Sequence, residues 1–441
     1  MRSSTLAVLL LWQMGTHAAP SPWQHLRYQR EIILPVRSSG QACVALDGTV
    51  FAHTASQGAG DIRIYGREMG DQSKASEFEI PFAMTESGPA TLETQTATVG
   101  NVAVRDGELV FDLAMPGGDY TEVDLELNAK NFVGAAQVAG LDTQGRATPL
   151  GTLPVFDLSA QGLARSTILS LPDSSYPVLH VALRLMSLQG QAIPVTPSMI
   201  AGAMVPPSRD TQTIYTTVAS TSTVDQQGQW SIATMTVPAH VPIERARFVL
   251  NPEFHADFLR DATVAASPME TGLEALGAAE GVSGHIFRVL RSAIAGVPAI
   301  DSQAMTIGTV IGANLRAPAK VTASVDNGTA SPLPIARVEL QMRERKLCFE
   351  ARPDASYMLR YGDAELSAPS YSYARHFAAS PRPTIAVLGA DEKNPNYVPP
   401  GTEEAQLRTG RELPWLLLMA GLVVAGVTAL QYVRHKREGM G

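Results

Sequence analysis

Charged residues are scarce in this chain of 441 residues, since Asp, Glu, Lys and Arg together make up 17%, against roughly 25% in an average soluble domain. Basic residues do not dominate either, and the formal net charge is −8. Proteins that bind nucleic acid need a basic surface that replaces the counterions of the phosphates. The composition therefore argues against nucleic acid as a partner, while a hydrophobic fraction of 45% is enough to bury sizeable cores.

Cysteine is nearly absent, with only Cys43 and Cys348 in the whole sequence. There is no Cys-x-x-Cys pair and no spacing typical of zinc ligands, so the sequence predicts no metal site. Each cysteine lies in a strand-like run, and cysteine is often fully buried. We interpret the two as buried free thiols. A bridge between them is the alternative, because sequence spacing does not decide pairing.

Catalytic signatures are missing as well. The sequence contains no HExxH, P-loop, GxGxxG or EF-hand pattern. The segment Gly281–His285 is not a nucleophile elbow, because its second glycine directly follows the serine. His240 and His255 flank a strand without an evident third metal ligand. We predict a non-enzymatic protein without cofactor or metal, and an envelope hydrolase is the least favoured alternative.

The beginning of the chain, residues 1–19, has the pattern of a signal peptide. Arg2 supplies the positive start, Leu6–Trp12 a short apolar core, and Thr16–Ala18 a small-x-small cleavage site. The apolar core is too short to span a bilayer. The pattern therefore predicts export with removal of the leader.

A long uncharged run from Leu413 to Val433 predicts a transmembrane helix. At about 1.5 Å per residue, a helix of this length spans the roughly 30 Å hydrocarbon layer. Trp415 and Tyr432 lie near its ends, where aromatic rings prefer the interface, and Arg434 begins a basic segment that favours the cytoplasmic side. The helix is expected to hold the protein in the lipid bilayer.

This anchor also contains Gly421 and Ala425, a small-xxx-small pair that lets a second helix approach closely. The alternative is a helix that faces lipid alone. Residues 434–441 form the expected cytoplasmic tail. The predicted localisation is the bacterial inner membrane, single-pass, with the bulk of the chain in the periplasm.

Turn-forming residues recur at short intervals, and long helical patterns are rare, which predicts an all-β fold for the exported part. We divide this part into an N-terminal β domain, residues 24–90, and two β-sandwich repeats, residues 91–205 and 210–377, the second with additional C-terminal strands. A proline-rich stretch, residues 378–411, is interpreted as a linker to the membrane. In the alternative interpretation, Thr384–Leu388 within it is one more strand.

Each predicted repeat contains a strand, a short polar loop and a further strand in the same order. The loops are Asn131-Phe132 and Asp257-Phe258. The order resembles that of the galactose-binding-like jelly roll, a fold that often binds carbohydrate through loops at one end. Asn131 and Asp257 are therefore the candidate ligand-binding residues. In the alternative, Phe132 and Phe258 plug the end of each sandwich while their polar neighbours cap a turn, and the two repeats merely look alike as any two β domains do.

Several short segments carry a resemblance to a known family: Tyr28–Pro35, Asp61–Tyr65, Asn131-Phe132, Phe156–Leu158, Tyr361-Gly362 and the C-terminal anchor. With them, the chain resembles over nearly its whole length a bacterial family catalogued as domain of unknown function 3999. The resemblance implies an exported, membrane-anchored protein that works beside a large polytopic membrane protein. It implies no activity and no catalytic residue.

Two functional hypotheses follow. The first is a non-enzymatic accessory or scaffold subunit of an envelope or membrane assembly, motivated by the anchor, the proline-rich stalk and the missing catalytic motifs. The alternative is a carbohydrate-binding protein that recognises envelope or external glycan through jelly-roll loops.

Overall fold

The computed structural model describes residues 22–35, 38–68, 77–88, 93–207, 213–269, 280–294 and 296–399. The predicted signal peptide and every predicted anchor residue from Leu413 to Arg434 lie outside these ranges. In the described ranges, no helix combines the length and the apolar character needed to cross a bilayer. The described chain is all-β, as predicted, and is built from several packed sheets.

The first part of the chain forms five strands and one short helix: β1 (Tyr28–Ile33), β2 (Gly40–Ala45), α1 (Gly48–His53), β3 (Arg63–Glu68), β4 (Phe78–Ile80) and β5 (Phe82–Glu86). Helix α1 begins where Asp47 caps it, because one carboxylate oxygen accepts hydrogen bonds from the backbone N–H groups of Thr49 and Val50. Val50 and Phe51 then turn into the core.

Nine strands follow and form the first sandwich: β6 (Gln95–Arg105), β7 (Glu108–Ala114), β8 (Tyr120–Leu127), β9 (Phe132–Leu141), β10 (Ala147–Asp157), β11 (Arg165–Ser166), β12 (Ile168–Ser174), β13 (Val178–Ser187) and β14 (Ile200–Val205). The longer strands pair as a nested set, β6 with β14, β7 with β13, β8 with β12, and β9 with β10. Such nesting folds one long hairpin into two sheets.

The second sandwich contains ten strands: β15 (Tyr215–Thr221), β16 (Asp225–Gln227), β17 (Trp230–Val237), β18 (Arg245–Leu250), β19 (Phe258–Pro268), β20 (Glu280–Arg291), β21 (Ile300–Ala304), β22 (Thr306–Gly308), β23 (Ala319–Asp326) and β24 (Ile335–Arg343). Here β15 pairs with β24, β17 with β23, β18 with β22, and β19 with β20. Both sandwiches therefore share one strand order.

The last elements return to the sheet of β1–β5: β25 (Arg345–Ala351), β26 (Ala355–Tyr361), α2 (Ser372–Arg375), β27 (Thr384–Leu388) and β28 (Glu392–Lys393). The resulting strand order is β4-β3-β26-β1-β27-β2-β25-β5, with β28 paired to β1. We call the body formed by the described residues of 22–88 and by residues 345–399 the base domain. Both sandwiches are inserted between β5 and β25.

This arrangement corrects two sequence assignments. The sequence predicts the strands from Arg345 to Tyr361 within the second repeat (210–377), but they pair with β1, β2, β3 and β5. The interpretation of 378–411 as a linker is wrong for Thr384–Leu388, which form a strand between β1 and β2 in the base sheet, in agreement with the alternative interpretation. Alternation within a strand indicates which side is buried, but it does not indicate which body the strand joins.

Cys43 and Cys348 form a disulfide, so the prediction of two free thiols is wrong. The two residues are direct partners in the antiparallel pair β2–β25, with a Cα–Cα distance of 4.1 Å and a sequence separation of 305. The two cysteines are close only because β25 returns to the base domain. The sequence around either cysteine therefore gives no indication of the disulfide.

The buried side chains form one continuous core through the base domain and the second sandwich, and a separate core inside the first sandwich. In strand β8, Val123, Leu125 and Leu127 are buried, whereas Asp124 and Glu126 face outward. Alternation of apolar and acidic residues along the strand places the two carboxylates on its outward side.

Candidate functional site

The two predicted ligand residues each stand directly before a phenylalanine that opens a strand. Phe132 is 0% and Phe258 2% exposed, so both rings fill the core of their sandwich, as the alternative interpretation had it. Asn131 is exposed, and its φ of 54° lies in the left-handed region that asparagine tolerates. The geometry therefore places Asn131 at a turn beside the sandwich end.

Asp257 is engaged within the protein. Its Oδ1 accepts a hydrogen bond from the backbone N–H of Leu290 at 2.8 Å, and its Oδ2 pairs with the guanidinium of Arg291. Arg291 also reaches Gln161 of the first sandwich at 3.5 Å. These contacts give Asp257 a structural role in holding β20, and ligand binding by Asn131 and Asp257 stays a prediction.

Equivalent positions of the two sandwiches meet beside these loops. Val133 is the second residue of β9 and pairs with Phe156 of β10. Leu259 is likewise the second residue of β19 and pairs with Phe287 of β20. All four side chains belong to one cluster that joins the two sandwiches. Val133 also lines a neighbouring cavity of about 80 Å³. Each sandwich thus uses the same part of its own surface in this contact, as the two subunits of a two-fold symmetric dimer do. Asn131 and Asp257 therefore flank an internal contact between the sandwiches.

A buried ion-pair cluster lies on the outer face of the base sheet. Glu77, with its side chain 7% exposed, accepts hydrogen bonds from Arg360 at 2.5 and 3.2 Å and from Arg67. The Arg360 guanidinium lies 4.3 Å over the ring of Trp23. Burial by itself raises the pKa of Glu77, but the bonds to Arg360 and Arg67 outweigh burial and hold that pKa below its ordinary value of 4.5.

Two adjoining cavities extend from this cluster along β1 and β26. The first, of about 260 Å³, is lined by Gln29, Glu31, Tyr65, Arg67, Glu77 and Arg360, among others. The second, of about 440 Å³, includes Ile33, Leu34, Pro35, Arg352 and Asp354 in its lining. Both are lined by Glu31, Ser356 and Tyr357, so we treat them as one feature, the base groove. Burial raises the pKa of Tyr65 at its floor to about 12.

The arrangement closest to an acid–base site is also in the base domain. Asp391 accepts a hydrogen bond from the hydroxyl of Tyr361, and its other oxygen lies 3.1 Å from Nδ1 of His53. The ring of Tyr28 stacks on His53 at 3.9 Å. Burial raises the pKa of Tyr361, and the bond to Asp391 raises it further, so the phenol stays protonated. A phenol fixed in this way fastens the β27–β28 connection to β26 and α1.

The base domain and the second sandwich are joined by an ion-pair quartet. Arg343 and Arg345 both contact Glu86, at 2.6 and 2.9 Å, and both contact Glu244, at 3.0 and 2.9 Å. Two cations and two anions balance each other across the short connection from β24 to β25. The quartet therefore fixes the point where the chain re-enters the base domain.

An exposed apolar surface lies on the same outer side of the base sheet. Ile33 is 49%, Ile385 59% and Val387 63% exposed. Ile33 and Val387 are direct partners across β1 and β27, and Ile385 faces the same side because it lies two positions from Val387. Ile33 also lines the base groove. We call Ile33, Ile385 and Val387 the apolar patch.

The part of the chain that the structure describes contains no group of three or more His, Cys, Asp or Glu side chains able to hold a metal ion. Of the two histidines weighed as ligands, His240 contacts the carbonyl oxygen of Thr54 at 2.6 Å through Nδ1. Sequence reasoning missed Glu77 and Asp391, whose partners lie 283 and 30 positions away. For Ile385, the alternating pattern of Thr384–Leu388 did indicate a strand with one exposed side.

No family model matches the chain, and the search of curated proteins found no match. Among solved structures, the tandem CBM22-1–CBM22-2 domain of Xyn10C from Paenibacillus barcinonensis has 9% identity, covers 62% of this chain and 98% of its own, and gives a TM-score of 0.16. The VP2 subviral particle of infectious bursal disease virus has 12% identity, coverages of 81% and 85%, and a TM-score of 0.17. A putative secreted protein from Parabacteroides distasonis ATCC 8503 has 8% identity, coverages of 73% and 99%, and a TM-score of 0.12. At such TM-scores these similarities carry no argument about the function of this chain.

Proposed function

We propose that this protein is an exported, membrane-tethered accessory subunit without enzymatic activity, and that its base domain docks on a polytopic membrane protein. The apolar patch carries the proposal. Three aliphatic side chains on neighbouring strands are 49–63% exposed, and contiguous exposed apolar surface is typical of protein–protein contacts. The adjoining base groove supplies polar groups at the rim, which is the usual composition of an interface.

The place where the chain leaves the base domain, after residue 399, supports the same proposal. The backbone N–H of Val398 donates to the carbonyl of Gln24 at 2.8 Å, and His25 contacts the carbonyl of Val398 at 2.8 Å, so the last described residues are held on the base domain. Pro395 and Asn396 line the base groove. Only residues 400–412 separate this point from the predicted membrane helix, which keeps the base domain within about 45 Å of the membrane if they are fully extended.

The disulfide supports export. Disulfides persist in oxidising compartments and are rare in the bacterial cytosol. A bridge between Cys43 and Cys348, which joins the neighbouring strands β2 and β25 of the base sheet, is expected of a protein that folds after passing the membrane.

The docking proposal is tested by purifying the full-length protein from its native membranes in mild detergent. We expect the wild type to run as a complex with a polytopic membrane protein. The double variant Ile385→Lys/Val387→Lys places two charges in the apolar patch and should lower recovery of that partner at least about tenfold, since charges at an interface core are strongly unfavourable.

Val310→Lys is the matched control, because Val310 is 83% exposed on the second sandwich, away from the apolar patch. It should co-purify with the same partner as the wild type. A wild-type protein that elutes alone, or a double variant that retains the partner fully, contradicts the proposal.

A further inference from the structure

The outer face of the second sandwich is an open sheet with an exposed tryptophan at one end. Side chains of directly paired residues point to the same side, so strands β17, β23, β19 and β20 present rows across this face. The first row consists of Trp230, Asp326, Asp261 and His285. The next consists of Ile232, Ser324, Thr263 and Ser283. The small hydroxyl side chains of the second row leave the surface flat beside the ring of Trp230, which is 37% exposed.

The exposed ring is not a requirement of the fold, as the first sandwich shows. Trp230 is the first residue of β17, and Glu108 is the first residue of the equivalent strand β7. In the first sandwich, Glu108 forms an ion pair with Arg184 of the neighbouring strand at 2.6 Å. In the second sandwich, the same place holds Trp230 beside Asp326. One sandwich thus has a salt bridge where the other has an aromatic ring next to a carboxylate.

The carboxylates of the row are close together and only partly used. Asp326 accepts hydrogen bonds from the backbone N–H of Gly328 at 2.8 Å and from Gln229 at 3.2 Å. Asp261, with its side chain 72% exposed, contacts Nδ1 of His285 at 2.7 Å. Asp326 and Asp261 are direct partners, and like charges placed opposite each other destabilise a sheet. Each carboxylate offers about four lone-pair sites, so acceptors remain for a ligand with several hydroxyl donors.

The charge of this face selects among ligands. Asp225 is exposed on the same side, opposite Ile232. Three carboxylates therefore lie on this face, and that of Asp326 is on the residue paired directly with Trp230. They repel polyanions such as nucleic acid, uronate polymers or phosphorylated glycans. A neutral sugar fits, because it combines an apolar C–H face with hydroxyl donors, and apolar contact with a few placed polar groups is how small-molecule sites gain both affinity and orientation.

We propose that the row of Trp230, Asp326 and Asp261 binds a neutral pyranose unit of a glycan. The C–H face of the sugar ring stacks on Trp230, and its hydroxyls donate to the carboxylates of Asp326 and Asp261. The site lies on the sheet face of the second sandwich and not on the Asn131 and Asp257 loops. It is independent of the docking surface on the base domain, so either can fail without the other.

The test uses the purified full-length protein in detergent and native affinity electrophoresis in gels that contain one soluble polysaccharide each. The neutral probes are β-glucan, xylan, mannan and galactan, and polygalacturonate is the acidic probe. We expect at least one neutral probe to retard the protein and polygalacturonate to leave it unretarded. Trp230→Ala should weaken the retarding interaction by roughly tenfold or more, because the stacking surface is lost.

Matched variants separate the site from general effects on folding. Trp230→Tyr keeps an aromatic ring and should stay within about threefold of the wild type. Thr236→Ala changes an exposed residue at the far end of the same strand and should bind as the wild type does. The proposal is overturned if no neutral probe retards the protein, or if Trp230→Ala is retarded as strongly as Thr236→Ala.

Discussion

At the scale of single residues, the base domain depends on buried charges whose partners lie far apart in the chain. Glu77 and Arg360 are separated by 283 positions, and their side chains are 7% and 5% exposed. Removing one member of such a pair leaves the other charge buried without compensation, which costs about 3–5 kcal/mol. Nothing in the sequence around Glu77 distinguishes it from a solvent-facing glutamate, so its role is visible only once β26 is placed beside β3.

The substitution Glu77→Gln keeps the size of the side chain and removes its charge. We expect it to lower the free energy of unfolding of the base domain by about 3–5 kcal/mol at pH 7, because Arg360 and Arg67 lose their anion. Urea denaturation of the full-length protein measures the loss. Glu108→Gln is the control: its ion pair with Arg184 has side chains 21% and 49% exposed, and such pairs contribute about 0–1 kcal/mol.

The difference in unfolding free energy between the wild type and Glu77→Gln should change with pH in one direction only. The pKa of Glu77 in the folded protein lies below its ordinary value of 4.5, so its contribution is fully present above that value and is lost as the pH falls through the folded pKa. The gap between wild type and Glu77→Gln should therefore be constant from pH 7 to about 5 and narrow on further acidification. A gap that widens in acid contradicts the assignment.

At the scale of elements, the sequence predicted strands well and their neighbours poorly. The alternation in Thr384–Leu388 is that of a strand with one buried side, and Ala386 is indeed 4% exposed between Ile385 and Val387. The prolines around this segment favoured a linker, because proline is common in extended spacers. The segment is a strand of the base sheet, because Ala386 packs in the core that also contains Ile32 and Val44.

This position of β27 predicts opposite outcomes for two adjacent substitutions. Ala386→Asp places a carboxylate in the base core and should destabilise the base domain by about 3 kcal/mol or more. Ile385→Lys points to solvent and should change stability by less than about 1 kcal/mol. Thermal unfolding of both variants checks the prediction. Equal effects would show that β27 is not a strand of the base sheet.

At the scale of the whole molecule, the base domain is closed by both ends of the described chain. Its strands from residues 28–86 pair with strands from residues 345–393, and two complete sandwiches lie between them in the sequence. The disulfide joins the two halves at the pair β2–β25. Cross-linking distant residues stabilises a fold mainly by restricting the unfolded chain. The bridge should therefore support the base domain and leave the first sandwich, whose core is separate, unaffected.

The double variant Cys43→Ala/Cys348→Ala tests this role of the disulfide. We expect the base domain to lose about 3 kcal/mol, less than a fully flexible loop of this length implies, because the first sandwich, whose core is separate, stays folded when the base domain opens. Limited proteolysis should cleave residues 345–399 faster while residues 93–207 remain protected. Wild-type protein treated with reductant should behave like the variant. Detection of two free thiols per molecule in protein that has not been reduced would contradict the disulfide itself.

The all-β class and the alternation that buries Val123 and Leu125 while Asp124 faces outward are visible in the sequence alone. These follow from the period of the β-strand and from burial of one of its sides, and both are local properties. The long-range strand pairing is needed to show that β25–β28 complete the base domain, that Cys43 meets Cys348, and that Trp230 remains exposed. Whether a strand face is covered, and by which strand, depends on segments hundreds of residues away, and no local pattern records that choice.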